Sequence, residues 1–129
     1  MTLAVTPLYA AILTCLYVWL SAKVILYRRS NRISLGDQGD QRLLNLMRTH
    51  SNCAEYAPLG LLLLLMVELM GAPALALHLI GLLLLAGRLI HAFGFSSEPQ
   101  IMPMRVLGMA LTFTSLLLSA LGLFAHVLF

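Results

Sequence analysis

Four long apolar stretches dominate this chain, and three short polar breaks divide them. The stretches run roughly over 3–29, 41–70, 73–95 and 102–129. Each exceeds the ~20 residues that a helix needs to cross a bilayer. SNRISLGDQGD joins the first two, and Asp40 at its end is a suitable helix N-cap. The second break is only Gly71-Ala72-Pro73, which predicts a tight reversal and an antiparallel hairpin of helices 2 and 3. SSEPQ forms the third. In hydrocarbon every backbone polar group needs an internal partner, which leaves helices or a closed barrel. The pattern therefore predicts an all-α integral membrane protein, a single four-transmembrane-helix bundle spanning 1–129.

Composition agrees with this pattern. Of 129 residues, 60% are hydrophobic and 10% charged, against about 25% charged in a typical soluble domain. The opening MTLAVTPLYAA has no basic segment before its apolar run, so we read it as a retained span rather than a cleaved signal. A net charge of +3 could point to nucleic acid, but the positions argue otherwise. Lys23, Arg28, Arg29, Arg32 and Arg42 flank the first break, and Arg105 lies by the third. Membrane orientation and anionic lipid headgroups select such placement, which puts those loops in the cytoplasm and both termini outside. Cys15 and Cys53 have no metal-like spacing and are expected as buried free thiols.

The departure from this plain pattern is RTHSNCAEYAP, residues 48–58. Ionisable groups inside a span are costly, and they mark function or interhelical locking. Arg48, Asn52 and Glu55 share one helix face by their spacing. Arg48 and Glu55 lie roughly 10 Å apart along the axis at ~1.5 Å per residue, too far to neutralise each other. Arg88, His91 and Phe95 form a second such face on helix 3. Counting outward from Ala72 sets Glu55 level with Arg88 and Asn52 level with His91, so a Glu55–Arg88 ion pair is expected. Pro58 lacks an N–H and frees the Ala54 carbonyl; a bend there would open a groove. Arg28, Arg48, Arg88 and Arg105 should gather at one side of the membrane, suited to a small anionic ligand.

These motifs resemble the MAPEG family (membrane-associated proteins in eicosanoid and glutathione metabolism). Arg48, Asn52, Glu55 and Pro58 fill its helix 2 pattern, with Tyr56 matching the leukotriene-synthase branch. GRLIHAFGF, carrying Arg88 and His91, is similar to the helix 3 motif of the prostaglandin E synthase branch. VILYRRSNRIS and MPMR resemble the end of helix 1 and the start of helix 4. The resemblance covers essentially the whole chain. It implies a homotrimer that binds glutathione between subunits near the cytoplasmic face. Arg48, Asn52, Glu55, Tyr56, Arg88 and His91 would hold the tripeptide, Arg28 and His50 would come from the adjacent subunit, and Arg105 would stabilise the thiolate. Phe95 stands where many members have a tyrosine, and the loop before Arg105 differs in length from both branches.

The function so implied is that of a glutathione transferase or peroxidase acting on lipophilic electrophiles in a membrane, more in keeping with a bacterial inner membrane than an organelle. One alternative is a non-catalytic glutathione- or lipid-binding protein. A small multidrug transporter fits less well, because its central Glu belongs in helix 1, which here has no acidic residue. Plain structural roles remain open for each residue: an interhelical lock for Arg48, Asn52, Glu55, Arg88 and His91, and interfacial anchoring for Arg28, Tyr56 and Arg105.

Overall fold

The computed structural model describes residues 3–129. Four helices follow in order: α1 (Val5–Asn31), α2 (Gln41–Leu69), α3 (Ala74–Ser96) and α4 (Met102–Leu128). All four are long and apolar enough to cross a membrane. The expected boundaries hold to within two residues, with α1 running past Arg29 to Asn31. α2 packs against the three other helices and α3 also does so, whereas α1 and α4 do not touch among the described residues. The bundle thus has an α1/α2 side and an α3/α4 side.

Two of the four helix starts meet their unpaired N–H groups with a carboxylate. Asp40 caps α2 as expected, its Oδ1 accepting from the Leu43 N–H at 2.9 Å. α3 begins directly after Pro73. α1 has no cap from its own N-terminal residue. Instead Glu68, at the far end of α2, reaches across. Its Oε1 accepts from the N–H groups of Ala4 (2.8 Å) and Val5 (2.9 Å), and its Oε2 from Thr6 (2.6 Å). Glu68 is therefore buried and points into the bundle. Close by, the Tyr9 hydroxyl donates to the His78 carbonyl at 3.2 Å, and its ring lies over Gly81.

α3 and α4 meet through small residues. A Cβ on Gly108 would lie 2.5 Å from the His91 backbone nitrogen, and one on Gly87 would lie 2.8 Å from the Gly108 carbonyl. Such backbone approach drives helix association where lipid removes the hydrophobic incentive. Buried hydroxyls secure it, with Ser115 donating to the Ile80 carbonyl at 2.9 Å. Between α1, α2 and α3 the packing is aliphatic, centred on Leu13, Leu20, Leu64 and Leu84. Leu75, Leu79, Leu82, Leu117 and Leu121 face outward, as lipid contact requires.

One expectation about cysteine fails. Cys53 is buried, but Cys15 is exposed. The buried stripe of α1 runs through Tyr9, Leu13, Leu16 and Leu20, and Cys15 falls outside that helical period, on the outer face.

Candidate functional site

Arg88 lies at the centre of the polar constellation and is 1% exposed. Its Nε donates to the Thr112 hydroxyl at 3.0 Å. Its Nη1 donates to Asn52 Oδ1 at 2.6 Å and to the Asn52 carbonyl at 3.4 Å. Its Nη2 faces the Met109 sulfur at 3.2 Å, and its guanidinium stands 5.3 Å from the centre of the Tyr56 ring. Every one of these partners is neutral.

The expected Glu55–Arg88 ion pair does not form. Among the described residues the single salt bridge is Arg42–Glu98, at 3.4 Å. The depth argument holds at mid-hairpin, where Gly60 and Leu84, equidistant from Ala72 along the chain, pack so closely that a Cβ on Gly60 would meet the Leu84 side chain at 2.6 Å. At the site it fails, since Arg88 bonds Asn52, which was expected level with His91, and the direction around the helix axis fails as well. The α2 residue turned toward Arg88 is Asn52, while Glu55 is exposed on the outer edge of α2. Arg48 is exposed as well. The structure therefore divides the helix 2 motif: Asn52 and Tyr56 join Arg88 inside, and Arg48 and Glu55 face outward.

His91 is buried beside Phe95, ring centres 5.6 Å apart. It also lines a cavity of about 380 Å³ with Met102, Arg105, Val106, Met109 and Phe113. Arg105 Nη1 donates to Gln100 Oε1 at 2.6 Å, and its guanidinium lies 3.9 Å from the centre of the Phe95 ring. The Arg105 Nε is buried without an acceptor. The α3/α4 side therefore sets the Arg105 guanidinium, the His91 imidazole and an unspent donor around an apolar groove, with Arg88 buried behind it.

The α1/α2 side holds the remaining pair. Arg28 donates to the Gly36 carbonyl at 2.7 Å and faces the Met47 sulfur at 3.1 Å. His50 Nε2 and the Ser21 hydroxyl share a 2.9 Å hydrogen bond, and the His50 ring stacks on Tyr17 at 4.8 Å. Arg28 on α1, and His50, which faces α1 through Ser21 and Tyr17, lie on a different side of the subunit from Arg105 on α4. Pro58 sits inside an unbroken α2 and, with Ala54 and Tyr17, lines a separate cavity of about 300 Å³. A larger cavity, about 620 Å³, lies near the Gly71–Pro73 turn among apolar side chains and His126. Size does not make it the site, since no arginine or carboxylate lines it.

A family model for the MAPEG family matches residues 6–125. The chain belongs to the MAPEG family. Two curated relatives, both "Inner membrane protein YecN", come from Escherichia coli K12 and Escherichia coli O6:H1 strain CFT073. Each is 37% identical over 118 residues, covering 92% of this chain and 88% of the relative. This MAPEG protein is a multi-pass, all-helical membrane bundle. Several of its supporting residues have no mark in the family motif: Thr112 and Met109 hold Arg88, Gln100 holds Arg105, and Ser21 holds His50. Thr112 could have been suspected as a polar residue in an apolar run. Gln100 lies in a loop whose path the sequence does not dictate.

Proposed function

We propose that this protein binds glutathione in the bacterial inner membrane, as a homotrimer with both termini on the non-cytoplasmic side, and conjugates it to lipophilic electrophiles or uses it to reduce lipid hydroperoxides. The observation that carries this reading is the unmatched positive charge. Arg88 is buried among neutral partners, Arg105 keeps a buried donor unspent, and Arg48 is exposed along a span whose one nearby acid, Glu55, forms no salt bridge within the subunit. A tripeptide with two carboxylates and one ammonium complements several arginines and one glutamate.

The outward placement of Arg48 and Glu55 supports assembly. Charged groups facing lipid are costly, and a second copy laid on that edge removes the cost. Arg28 and His50, on the opposite side from Arg105, would then come from the neighbouring subunit. Arg105 would stabilise the glutathione thiolate, since a nearby cation lowers a thiol pKa. The electrophile would reach it from lipid through the groove of Met102, Val106 and Phe113. The inner-membrane location rests on the four spans and on the name of the Escherichia coli relatives.

A second reading, binding without turnover, has one observation in its favour: Arg105 already lies against Phe95 and Gln100. The test is glutathione titration of the detergent-solubilised protein, with thiolate absorbance followed in the ultraviolet. Wild type is measured beside Arg48→Ala and Arg105→Ala. Loss of binding in Arg48→Ala together with loss of thiolate in Arg105→Ala supports the transferase. Binding without thiolate in the wild type favours the binding protein. No binding makes RTHSNCAEYAP a structural lock.

A further inference from the structure

The C-terminal elbow of α1 carries chemistry that the glutathione reading does not use. α1 ends in a left-handed residue, Arg32, at φ 55° and ψ 37°. Glycine is the residue that adopts this conformation without strain, so an arginine is held here against local preference. The reversal is tied by the Arg32 N–H to the Arg29 carbonyl (3.3 Å) and the Ile33 N–H to the Arg28 carbonyl (3.0 Å). It turns Ile33 inward and brings Ile25, Arg28, Arg29, Arg32, Ile33 and Ser34 around one open cavity of about 410 Å³.

The guanidinium of Arg28 is occupied by Gly36 and Met47. Those of Arg29 and Arg32 donate to no acceptor among the described residues and pair with neither Asp37 nor Asp40. The aliphatic part of the cavity wall is Ile25 and Ile33, with Leu26 and Leu35 outside it. Ile25 and Leu26 are more than half exposed, and Leu35 is 82% exposed. Two free planar cations above exposed aliphatic side chains, at the end of a membrane span, complement an amphiphile with an anionic head and a hydrocarbon tail. A soluble anion would engage the two arginines but not the Ile25 side chain that lines the cavity beside them.

We propose that this elbow binds one anionic phospholipid, its phosphodiester held by Arg29 and Arg32 and one acyl chain lying along Ile25 and Ile33. Arg28 lines this cavity and also belongs to the proposed glutathione site, so the test leaves Arg28 untouched. Juxtamembrane arginines attract acidic lipid, and their planar forks match phosphate oxygens.

The experiment is native mass spectrometry of the full-length protein in detergent, titrated with phosphatidylglycerol or phosphatidylcholine. Wild type should retain one phosphatidylglycerol in preference to phosphatidylcholine. The double variant Arg29→Gln/Arg32→Gln should lose that preference by about 30-fold. Arg29→Lys/Arg32→Lys, which keeps the charge, should retain most of it. Both side chains are exposed, and unchanged melting of the lipid-free variants would show that folding is intact. Equal retention of the two lipids, or undiminished phosphatidylglycerol binding by the glutamine variant, would overturn the proposal. So would displacement by inorganic phosphate, which would make the elbow a plain anion site. Displacement by reduced glutathione would assign the cavity to the tripeptide instead, whereas failure of glutathione to bind anywhere leaves the lipid result standing.

Discussion

Two buried ionisable side chains sit in opposite halves of the bundle, and their surroundings differ in kind. Glu68, 8% exposed, accepts from three consecutive N–H groups at the start of α1. It meets the positive end of a helix with its own negative charge, so both needs are satisfied inside the chain. Arg88, 1% exposed, has hydrogen bonds but no anion: its partners are an amide, a carbonyl, a hydroxyl and a thioether. Geometry there is satisfied and charge is not. A charge matched within the fold locks the fold. A charge fixed in place but unmatched is a standing attraction for something outside it.

The sharpest way to break this comparison is to remove each charge while keeping its shape. Arg88→Met retains most of the packing volume and removes the cation. Replacing a buried charge by an apolar group is often neutral for stability, although here Asn52 Oδ1 and Thr112 lose a donor. Glutathione affinity should fall by about 30- to 100-fold, the equivalent of about 2–3 kcal/mol for a hydrogen bond involving a charged group. The direct contact would be through Asn52, whose oxygen Arg88 holds and whose amide N–H₂ it thereby orients. Calorimetric titration in detergent, paired with a melting curve, checks both halves. A large stability loss with unchanged affinity would make Arg88 a lock like Glu68.

The complementary change is Glu68→Gln. Its amide keeps one oxygen but loses the charge and presents an N–H₂ to backbone donors. Stability should fall by about 2 kcal/mol, read as a lowered denaturation midpoint, while glutathione affinity stays unchanged. Coupling of Glu68 to ligand affinity would mean that the two halves of the bundle are not independent.

The contrast between these two side chains also explains what the sequence could and could not reveal. Four spans, their boundaries to within two residues, the Asp40 cap and the short turn at Gly71 follow from local pattern, because helices in lipid must satisfy their own backbones. The depth of the hairpin packing was readable near its middle, as the Gly60–Leu84 contact shows, though Arg88 reaches Asn52 rather than the residue expected at its level. Direction around the axis was not. Glu55 and Asn52 are one turn apart and share a stripe in projection, yet one faces outward and the other meets Arg88. That choice is set by how α2 rolls against α3, through contacts such as Gly60 with Leu84, which no local rule specifies. The same limit hid the role of Glu68. Its donors lie more than 60 residues away in the chain, at a helix start with no cap of its own.

Asp40 offers the finest test, because it performs the same task as Glu68 at the opposite end and only half-buried. Both are carboxylates on the N-terminus of a helix. Asp40 takes one backbone N–H, from Leu43, and the Tyr27 hydroxyl at 3.0 Å. The Leu43 N–H, helped by that hydroxyl, holds its carboxyl below the usual carboxylate range. A depressed folded-state pKa means a contribution that is fully present above the unfolded value, about pH 4, and is lost as pH falls through the folded value. Asp40→Ala should therefore lower the melting temperature slightly at pH 7, by less than Glu68→Gln does, because water can replace the lost acceptor at a half-buried cap. The gap between wild type and Asp40→Ala should narrow as the pH drops below about 4. Melting curves at pH 7 and pH 3 decide the matter. If Asp40→Ala costs as much as Glu68→Gln, then burial is not what makes the Glu68 cap strong. The distinction between a charge locked by the fold and one merely solvated at its edge would then have to rest on geometry alone.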